Sequence, residues 1–411
     1  MGRTNEEHLI GLDLGTSMVR CAVACCRPNG ELILEGYAEV PSVGIVKGLI
    51  VDAVQASECV HTAIDDAATR AGVDVLSVLP AVATPYARGL NSRGCIGITH
   101  EDKVVRGADA RRALVAARRI SLPSDRVVAE VYTQGFAVDD ARGIHNPVGL
   151  VGARLEAEVH IVTDSLSAQR NAEQVARQAG YACERVVFGP MAAAEAALTA
   201  EEKRLGAVHI HVGAGTTAIA LYCGGYPRFS RVLPIGCQHI TNDLAIGLNT
   251  SVAEAERLKR EHGIPSSRRP RRGAERARIE VPLADGSGTQ TYPLWRAGLI
   301  VQARVEEIFE LALRELGRSG YAWASTARAV ITGGYCRMEG ALAMAERTLR
   351  RPVRFGCVAL DTTLSQFEAD PSHAVVLGTV LRGRTHRELA LDHRFEDTGL
   401  RRLFSRVASW L

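Results

Sequence analysis

The sequence predicts an α/β fold of two related halves, with a small α+β subdomain inserted in the first and an amphipathic helix at the C-terminus. Three observations carry this. Ile10–Val23 (IGLDLGTSMVRCAV) and Ala207–Leu221 (AVHIHVGAGTTAIAL) share one strand, Gly-turn, strand pattern. The section from Pro85 to Thr163 differs in character, with an Arg- and Ala-rich helix among short strand-like runs. From Gly399 on, GLRRLFSRVASWL sets its apolar side chains on one helical stripe.

In the second Gly-rich stretch, Val208, Ile210 and Val212 alternate with His209 and His211, the period of a strand. Gly213, Ala214 and Gly215 allow a tight turn, and Thr216 and Thr217 supply hydroxyls. A turn of this kind is either a plain hairpin or an anion cradle built from backbone N–H groups. The first stretch favours the cradle. Aligning Gly15 with Gly213 places Asp13 opposite His211, and Thr16 and Ser17 repeat the hydroxyl pair. Two such hairpins suggest related halves facing each other across one nucleotide.

The other elements follow in order. Strands are expected over 9–40. A helix over Ala53–Ala71 carries Val60, Ile64 and Ala67 on one face, and Ser77–Ala83 is an apolar strand. The inserted section holds a helix (Ala108–Arg119) and strands at Arg126–Gln134, Leu150–Leu155 and Ala157–Val162. Then come a helix (Ser165–Gly180), a strand (Cys183–Phe188) and a helix (Met191–Leu198). Past Leu221 lie a hairpin and helices at Gln238–Leu248 and Val252–Gly263. Ser266–Arg278 is an Arg-rich loop, read as a solvated surface. A long amphipathic helix spans Leu294–Leu316, and strand Arg328–Thr332 leads to Gly333-Gly334. Helices at Glu339–Arg350 and Ala374–Leu381 precede a polar, aperiodic linker.

Composition narrows the function. A chain of 411 residues exceeds one ordinary core, so roughly two to four domains are expected. A net charge of +3 gives no general drive towards nucleic acid. Ten cysteines without a C-x-x-C pair read as reduced thiols of a cytoplasmic protein. The N-terminus lacks the apolar core of a secretory signal, and Glu6 stands where a myristoylation site needs Ser or Thr. No run approaches the ~18 apolar residues of a membrane span.

Several blocks in this order resemble the actin-like ATPase superfamily and, within it, the FtsA family of bacterial cell-division proteins. GLDLGTS is similar to its first phosphate motif, and GIHNPVGLVGARLEAEVHIVT to its inserted subdomain. PIGCQHITNDLA resembles the segment after the second phosphate loop, and ITGGYCRMEG the adenosine motif. The resemblance implies an actin-like two-lobed fold that binds ATP and Mg²⁺. Gly15, Thr16 and Ser17 would hold phosphate from one side, and Gly213, Gly215, Thr216, Thr217 and Gly236 from the other. Asp13 would face Mg²⁺. Glu256 and Lys259 would touch ribose and adenine, or form a plain surface ion pair. Gly333 and Gly334 would let the backbone approach adenosine, with Met338 packed on it.

The implied division is 1–84 and 164–203 for the first lobe, 85–163 for the insert, and 204–253 and 326–382 for the second lobe. An outer subdomain (254–325), a linker (383–398) and a membrane-targeting helix (399–411) complete it. The implied partners are FtsZ, further copies of the chain in a filament, other division proteins and the inner face of the cytoplasmic membrane at the septum. Trp295 and Arg296 are candidate FtsZ contacts, though Trp295 also suits a core. In the tail, Leu400, Leu403, Phe404, Val407 and Leu411 form one stripe with Trp410 beside it, and Arg401, Arg402 and Arg406 lie opposite. That pattern suits a membrane surface; docking on the protein's own core is the alternative.

Departures from the superfamily pattern concern the chemistry. His211 and Ala218 stand where many members have Asp, Met18 where a basic residue is common, and Gly189 where hydrolytic relatives carry an acid. Very slow or absent hydrolysis is therefore expected. Alternative readings are the pilus-assembly relative of the family and a nucleotide-dependent enzyme of the superfamily.

Overall fold

The computed structural model describes residues 7–27, 31–263, 277–321, 327–358, 360–365 and 367–394. The expected Arg-rich loop, apart from its end, and the tail helix lie outside them.

The first half opens with β1 (Glu7–Leu14), β2 (Met18–Cys26) and β3 (Leu32–Pro41), then the short hairpin β4 (Ile45–Val46) and β5 (Leu49–Ile50), helix α1 (Ala53–Ala71) and β6 (Ser77–Val82). The insert contributes β7 (Arg88–Gly97), α2 (Gly107–Arg118), β8 (Arg126–Val138), β9 (Ala141–Ile144) and β10 (Arg154–Ser165). The chain returns through α3 (Leu166–Gln178), β11 (Ala182–Cys183), β12 (Val187–Phe188), α4 (Gly189–Ala197) and α5 (Ala200–Leu205). The second half has β13 (Ala207–Val212), β14 (Thr217–Cys223), β15 (Tyr226–Leu233), α6 (Cys237–Gly247) and α7 (Val252–His262). The hairpin β16 (Arg278–Pro282) and β17 (Thr289–Pro293), α8 (Leu294–Arg318), β18 (Arg328–Thr332), α9 (Ala341–Leu349), β19 (Val353–Phe355), β20 (Asp361–Thr362) and α10 (Ala374–Arg394) follow.

The two halves repeat one topology. In the first sheet the order runs β6-β1-β2-β3; in the second it runs β18-β13-β14-β15. Each has an antiparallel hairpin joined by a Gly turn and a parallel strand beside its first member. Layered packing follows from composition. Helix α1 is started by Asp52, whose carboxylate accepts from the Val54 and Gln55 amides, and ended by Gly72 at φ 68. Its buried Ala56, Val60, Ala63, Ile64 and Ala67 recur at helical spacing. Burying Val60 and Ile64 is worth about 1.5–3 kcal/mol each.

Five expectations need correction. The insert does not stand apart: β7 meets β15 at Arg88–Arg231 and continues the second half's sheet. Side chains reinforce that seam, with Gln134 Nε2 donating to the Pro227 carbonyl (2.5 Å) and His160 Nε2 2.9 Å from Ser230 Oγ. The insert's neck is closed by Thr84 Oγ1 donating to buried Asp164 (2.5 Å). The expected strands at 150–155 and 157–162 are one long strand from Arg154; Val151 only bridges to Val104. The expected strand 183–188 splits in two, both parts on β6. Residues assigned to the end of the second lobe return to the first: β20 pairs with β3, and α10 packs on β1 and α4. Glycines permit that approach, because a Cβ on Gly11 would stand 2.8 Å from the Val376 carbonyl oxygen and one on Gly378 2.5 Å from the Ala192 carbonyl carbon. Helix α10 runs to Arg394, so most of the expected linker is helical. Its Arg, Glu, Leu and Ala residues are good helix formers, whatever their lack of amphipathic period.

Candidate functional site

The two Gly hairpins meet. A Cβ on Gly215 would lie 2.5 Å from Thr16 Oγ1 and 2.8 Å from the Lys47 Cα. The third participant is the β4–β5 turn, Lys47-Gly48, with Lys47 at φ 50 and Gly48 at φ 73. Thr16 Oγ1 accepts a hydrogen bond from the Gly48 amide at 3.1 Å. Strand order, turn chemistry and small side chains thus converge three backbone segments at one point. The sequence signal for the third was a Lys-Gly pair between apolar dipeptides, a two-residue hairpin pattern.

The second hairpin is tightly built. The Gly213 amide donates to the Thr216 carbonyl at 2.9 Å. Gly236 runs beneath it, where a Cβ would stand 2.7 Å from the Ala214 oxygen. The Cys237 and Gln238 amides at the start of α6 donate to Gly213 and Ala214. Gly333 sits at φ 97, where a Cβ would stand 2.8 Å from the Val212 carbonyl carbon, and its amide donates to the Pro371 carbonyl. Gly334 faces open space. Thr217 departs from its expected role: it is fully buried and its hydroxyl donates to the Ile235 carbonyl at 2.8 Å. Thr216 and, on the exposed first turn, Ser17 remain as hydroxyl donors.

Charge is distributed unequally. Below the first turn, Asp13 Oδ2 lies 3.6 Å from Arg20 Nη1, its cross-strand neighbour. Gross attraction at that distance is about 4–5 kcal/mol at an effective dielectric near 20. Arg20 Nε also reaches Glu39 at 3.1 Å. Burial pushes the Asp13 carboxyl up to about 6, although Arg20 pulls the other way. Behind the second turn, Thr332 Oγ1 stands 2.9 Å from both His209 Nε2 and His211 Nδ1. One imidazole donates to that oxygen and the other accepts its proton. Burial drives His209 down to about 3 and His211 to about 4, so both are neutral at pH 7; neighbouring positive groups, His211 and Arg354 for the first and Arg20 for the second, push the same way.

Two expected assignments fare poorly against this geometry. Asp13 is expected to face Mg²⁺ but faces Arg20. Mg²⁺ prefers several oxygen ligands in octahedral array, and the second hairpin adds none, pairing His211, neutral at pH 7, with buried Ala218. Met338 is 7% exposed within the second half's core, which leaves little of it for a base. Gly189 opens α4, and a Cβ there would stand 2.9 Å from Val375 Cγ1, so no acid fits without displacing Val375.

Glu256 and Lys259 do form a pair. Lys259 Nζ lies 2.6 Å from Glu256 Oε2 and donates to Thr241 Oγ1 at 3.0 Å, and Thr241 donates to Glu256 at 2.6 Å. Burial alone would raise the Glu256 carboxyl; Lys259, Thr241 and Arg260 together hold it below its usual range. Trp295 is half-buried and Arg296 exposed, with the Arg296 guanidinium 5.0 Å over the Tyr292 ring. Sequence reasoning missed Lys47 and Arg20. For Arg20 the signal was a lone cation in the apolar strand VRCAVAC, which demands a partner.

A family model described as cell division protein FtsA matches residues 208–378, and one described as the SHS2 domain inserted in FtsA matches 86–163. Cell division protein FtsA of Pseudomonas aeruginosa is 33% identical over 375 residues, 91% of this chain and 89% of that protein. The chain belongs to the FtsA family. The Bacillus subtilis FtsA is 32% identical over 85% of this chain and 78% of its own length. The Escherichia coli K12 FtsA is 28% identical over 99% and 96%. Among solved structures, a PilM-PilN type IV pilus biogenesis complex aligns with TM-score 0.65 and 18% identity, over 92% of this chain and 98% of that one. Spiroplasma citri MreB5 bound to ADP aligns with TM-score 0.55 and 15% identity, over 94% and 99%. At these identities the likeness concerns the fold alone. The fold is the actin-like two-lobed one with its inserted subdomain, and this FtsA-family chain is a cell-division protein.

Proposed function

We propose that the chain is a cell-division adaptor that binds ATP between its two halves, assembles into filaments and tethers FtsZ to the cytoplasmic membrane at the septum. The reading rests most on one observation, the convergence of the Thr16, Lys47-Gly48 and Gly215 segments at one point. Gly15 would offer phosphate its backbone from the first turn; Gly213, Gly236 and Gly333, whose amides are bonded within the fold, let the segments of the second half pack closely; Gly334 leaves room for a base, and the Glu256–Lys259 pair lies on α7. Mg²⁺ would arrive with the phosphates as their ordinary counter-ion. Hydrolysis would be very slow or absent, because Gly189, His211 and Ala218 supply no carboxylate to orient water.

Attachment would fall to residues 399–411. Six apolar side chains gain ~1.5–3 kcal/mol each when fully buried and roughly half at an interface. Three arginines add ~1 kcal/mol each over anionic lipid. Ordering the tail costs ~1–2 kcal/mol per residue. These terms nearly cancel, so one tail binds weakly, and a filament carrying many binds far more tightly. Among the described residues no helix is long and apolar enough to cross a membrane. Trp295 and Arg296 on the outer subdomain are the proposed FtsZ contacts. Pelleting with anionic liposomes and FtsZ filaments tests the reading: full-length chain should bring FtsZ down, and a chain ending at residue 398 should not. Equal pelleting by both would overturn it, as would a polymerisation-dead variant that binds liposomes like wild type.

A further inference from the structure

We propose that His8, Cys25 and Glu35 form a zinc-binding site at the end of the first sheet opposite its Gly turn. None of the three belongs to the nucleotide cleft, so the site stands whether or not ATP binds.

Strand geometry brings the residues together. β2 lies between β1 and β3, and His8 and Cys25 are direct cross-strand partners, so their side chains share a face. That face is the one turned to α1. Ile10 and Leu12 follow His8 at a spacing of two, Cys21 and Val23 precede Cys25 in the same way, and all four share a core with α1. Glu35 joins them through an irregularity. Val23 pairs with Gly36 and Ala24 with Leu34, so Glu35 is the extra residue of a β-bulge. A bulge re-aims the side chain it carries. Gly36 seats the bulge on the helix, since a Cβ there would stand 2.2 Å from the Ala67 carbonyl oxygen.

The donor atoms converge. β1 and β3 lie about 10 Å apart across β2, yet His8 Nε2 stands 3.1 Å from Glu35 Oε2. The two long side chains lean in over the short thiol between them, and all three ligand atoms lie within 4.8 Å of one another. Around tetrahedral zinc, such atoms stand about 3.3–3.6 Å apart. Small side-chain rotations close the set. Cys25 is 1% exposed and forms the floor, while the His8 and Glu35 side chains, 21% and 24% exposed, form a rim open to solvent. An ion can enter there, and water completes its coordination.

Donor chemistry selects the metal. Thiolate and imidazole suit Zn²⁺, whereas Mg²⁺ and Ca²⁺ take oxygen ligands. One thiolate and one carboxylate balance the two positive charges. On binding, the Cys25 thiol loses its proton to solvent and its sulfur bonds the metal, with no change of oxidation state. The bound ion clips β1, β2 and β3 together. A plain His8–Glu35 ion pair over a buried thiol is the competing account, and it holds no metal.

The test is titration of the full chain, stripped with EDTA, dialysed and kept reduced, with Zn²⁺ against a chromophoric chelator and with Co²⁺ as a spectroscopic probe. One Zn²⁺ per chain should bind with Kd below about 10 μM, unmoved by excess Mg²⁺. Bound Co²⁺ should show a thiolate charge-transfer band. Cys25→Ser and Glu35→Gln should each weaken Zn²⁺ binding at least about tenfold. Cys26→Ser should not, because Cys26 packs in the core on the other face of β2. If Cys25→Ser does not fold, His8→Gln on the solvent-open rim carries the same prediction. Zinc binding weaker than about 10 μM overturns the inference. So does a Co²⁺ complex without the thiolate band, or wild-type affinity in the Cys25, Glu35 or His8 variant.

Discussion

The two Gly hairpins share strand order and a Gly turn, yet their polar partners are of opposite kinds. The first keeps a charged pair, Asp13 and Arg20, under its turn. The second keeps an uncharged chain, His209, Thr332 and His211, behind its turn. The antiparallel hairpin with its Gly turn was kept in both copies, and in the proposed reading it fixes where an anion approaches. Side-chain electrostatics decides what happens to that anion, and it diverged. In the proposed reading, a site with one charged and one neutral wall holds phosphates. It lacks the facing carboxylates that would organise a metal and a water.

The difference predicts opposite pH responses, which is the largest effect expected. Unfolded imidazoles titrate near 6.5, and the folded ones at about 3 and 4. Between those values the unfolded chain binds more protons. The stability contributed by the neutral pair is therefore complete above pH 6.5 and falls by up to about 1.4 kcal/mol per unit per group as pH drops. Asp13 has the reverse sign. Its folded carboxyl titrates at about 6 against 3.8 unfolded, so between those values the folded state binds more protons and gains stability as pH falls. Urea denaturation from pH 7 to 4.5 should show a steeper loss for Asp13→Asn and a shallower one for His211→Asn. Identical slopes in wild type and both variants would break the comparison.

Next in size is Gly333→Ala, which combines φ 97 with a Cβ forced onto the Val212 carbonyl. It should cost about 2–4 kcal/mol in denaturant unfolding. Gly334→Ala, which points into open space, should cost under about 1 kcal/mol and weaken only ATP binding. Thr332→Val leaves two buried imidazoles without their shared hydroxyl and should cost about 1–3 kcal/mol. A variant as stable as wild type would show that the neutral chain is incidental. The smallest effect is that of Glu256→Gln. Lys259 is buried but Glu256 is partly exposed, so about 1 kcal/mol is expected, read in the same experiment.

What was legible in the sequence was what depends on local pattern. Helix α1 runs over the residues its period indicates, because Asp52 and Gly72 end it cleanly. The paired hairpins were visible because each alternates around a Gly turn. The remainder needed contacts between distant residues. No periodicity shows that α10 crosses back to β1, since close approach depends on Gly11 and Gly378 meeting backbone from elsewhere. Thr217 and Met338 looked available for a ligand, but the sheet turns one towards Ile235 and the core takes the other. Arg20 was overlooked because its partners Asp13 and Glu39 come from two other strands. Helix α5, also missed, did carry a local signal, the Thr199 and Glu202 capping box closed by Gly206.

The claim that this site holds ATP without processing it is tested most directly by the fate of bound nucleotide. Radiolabelled ATP, incubated with polymerised chain on anionic liposomes, is followed at once for retention and for released phosphate. Retention with turnover below about 0.01 s⁻¹ is the predicted result. Phosphate release near ~1 s⁻¹, ordinary for phosphoryl-transfer enzymes, would contradict it.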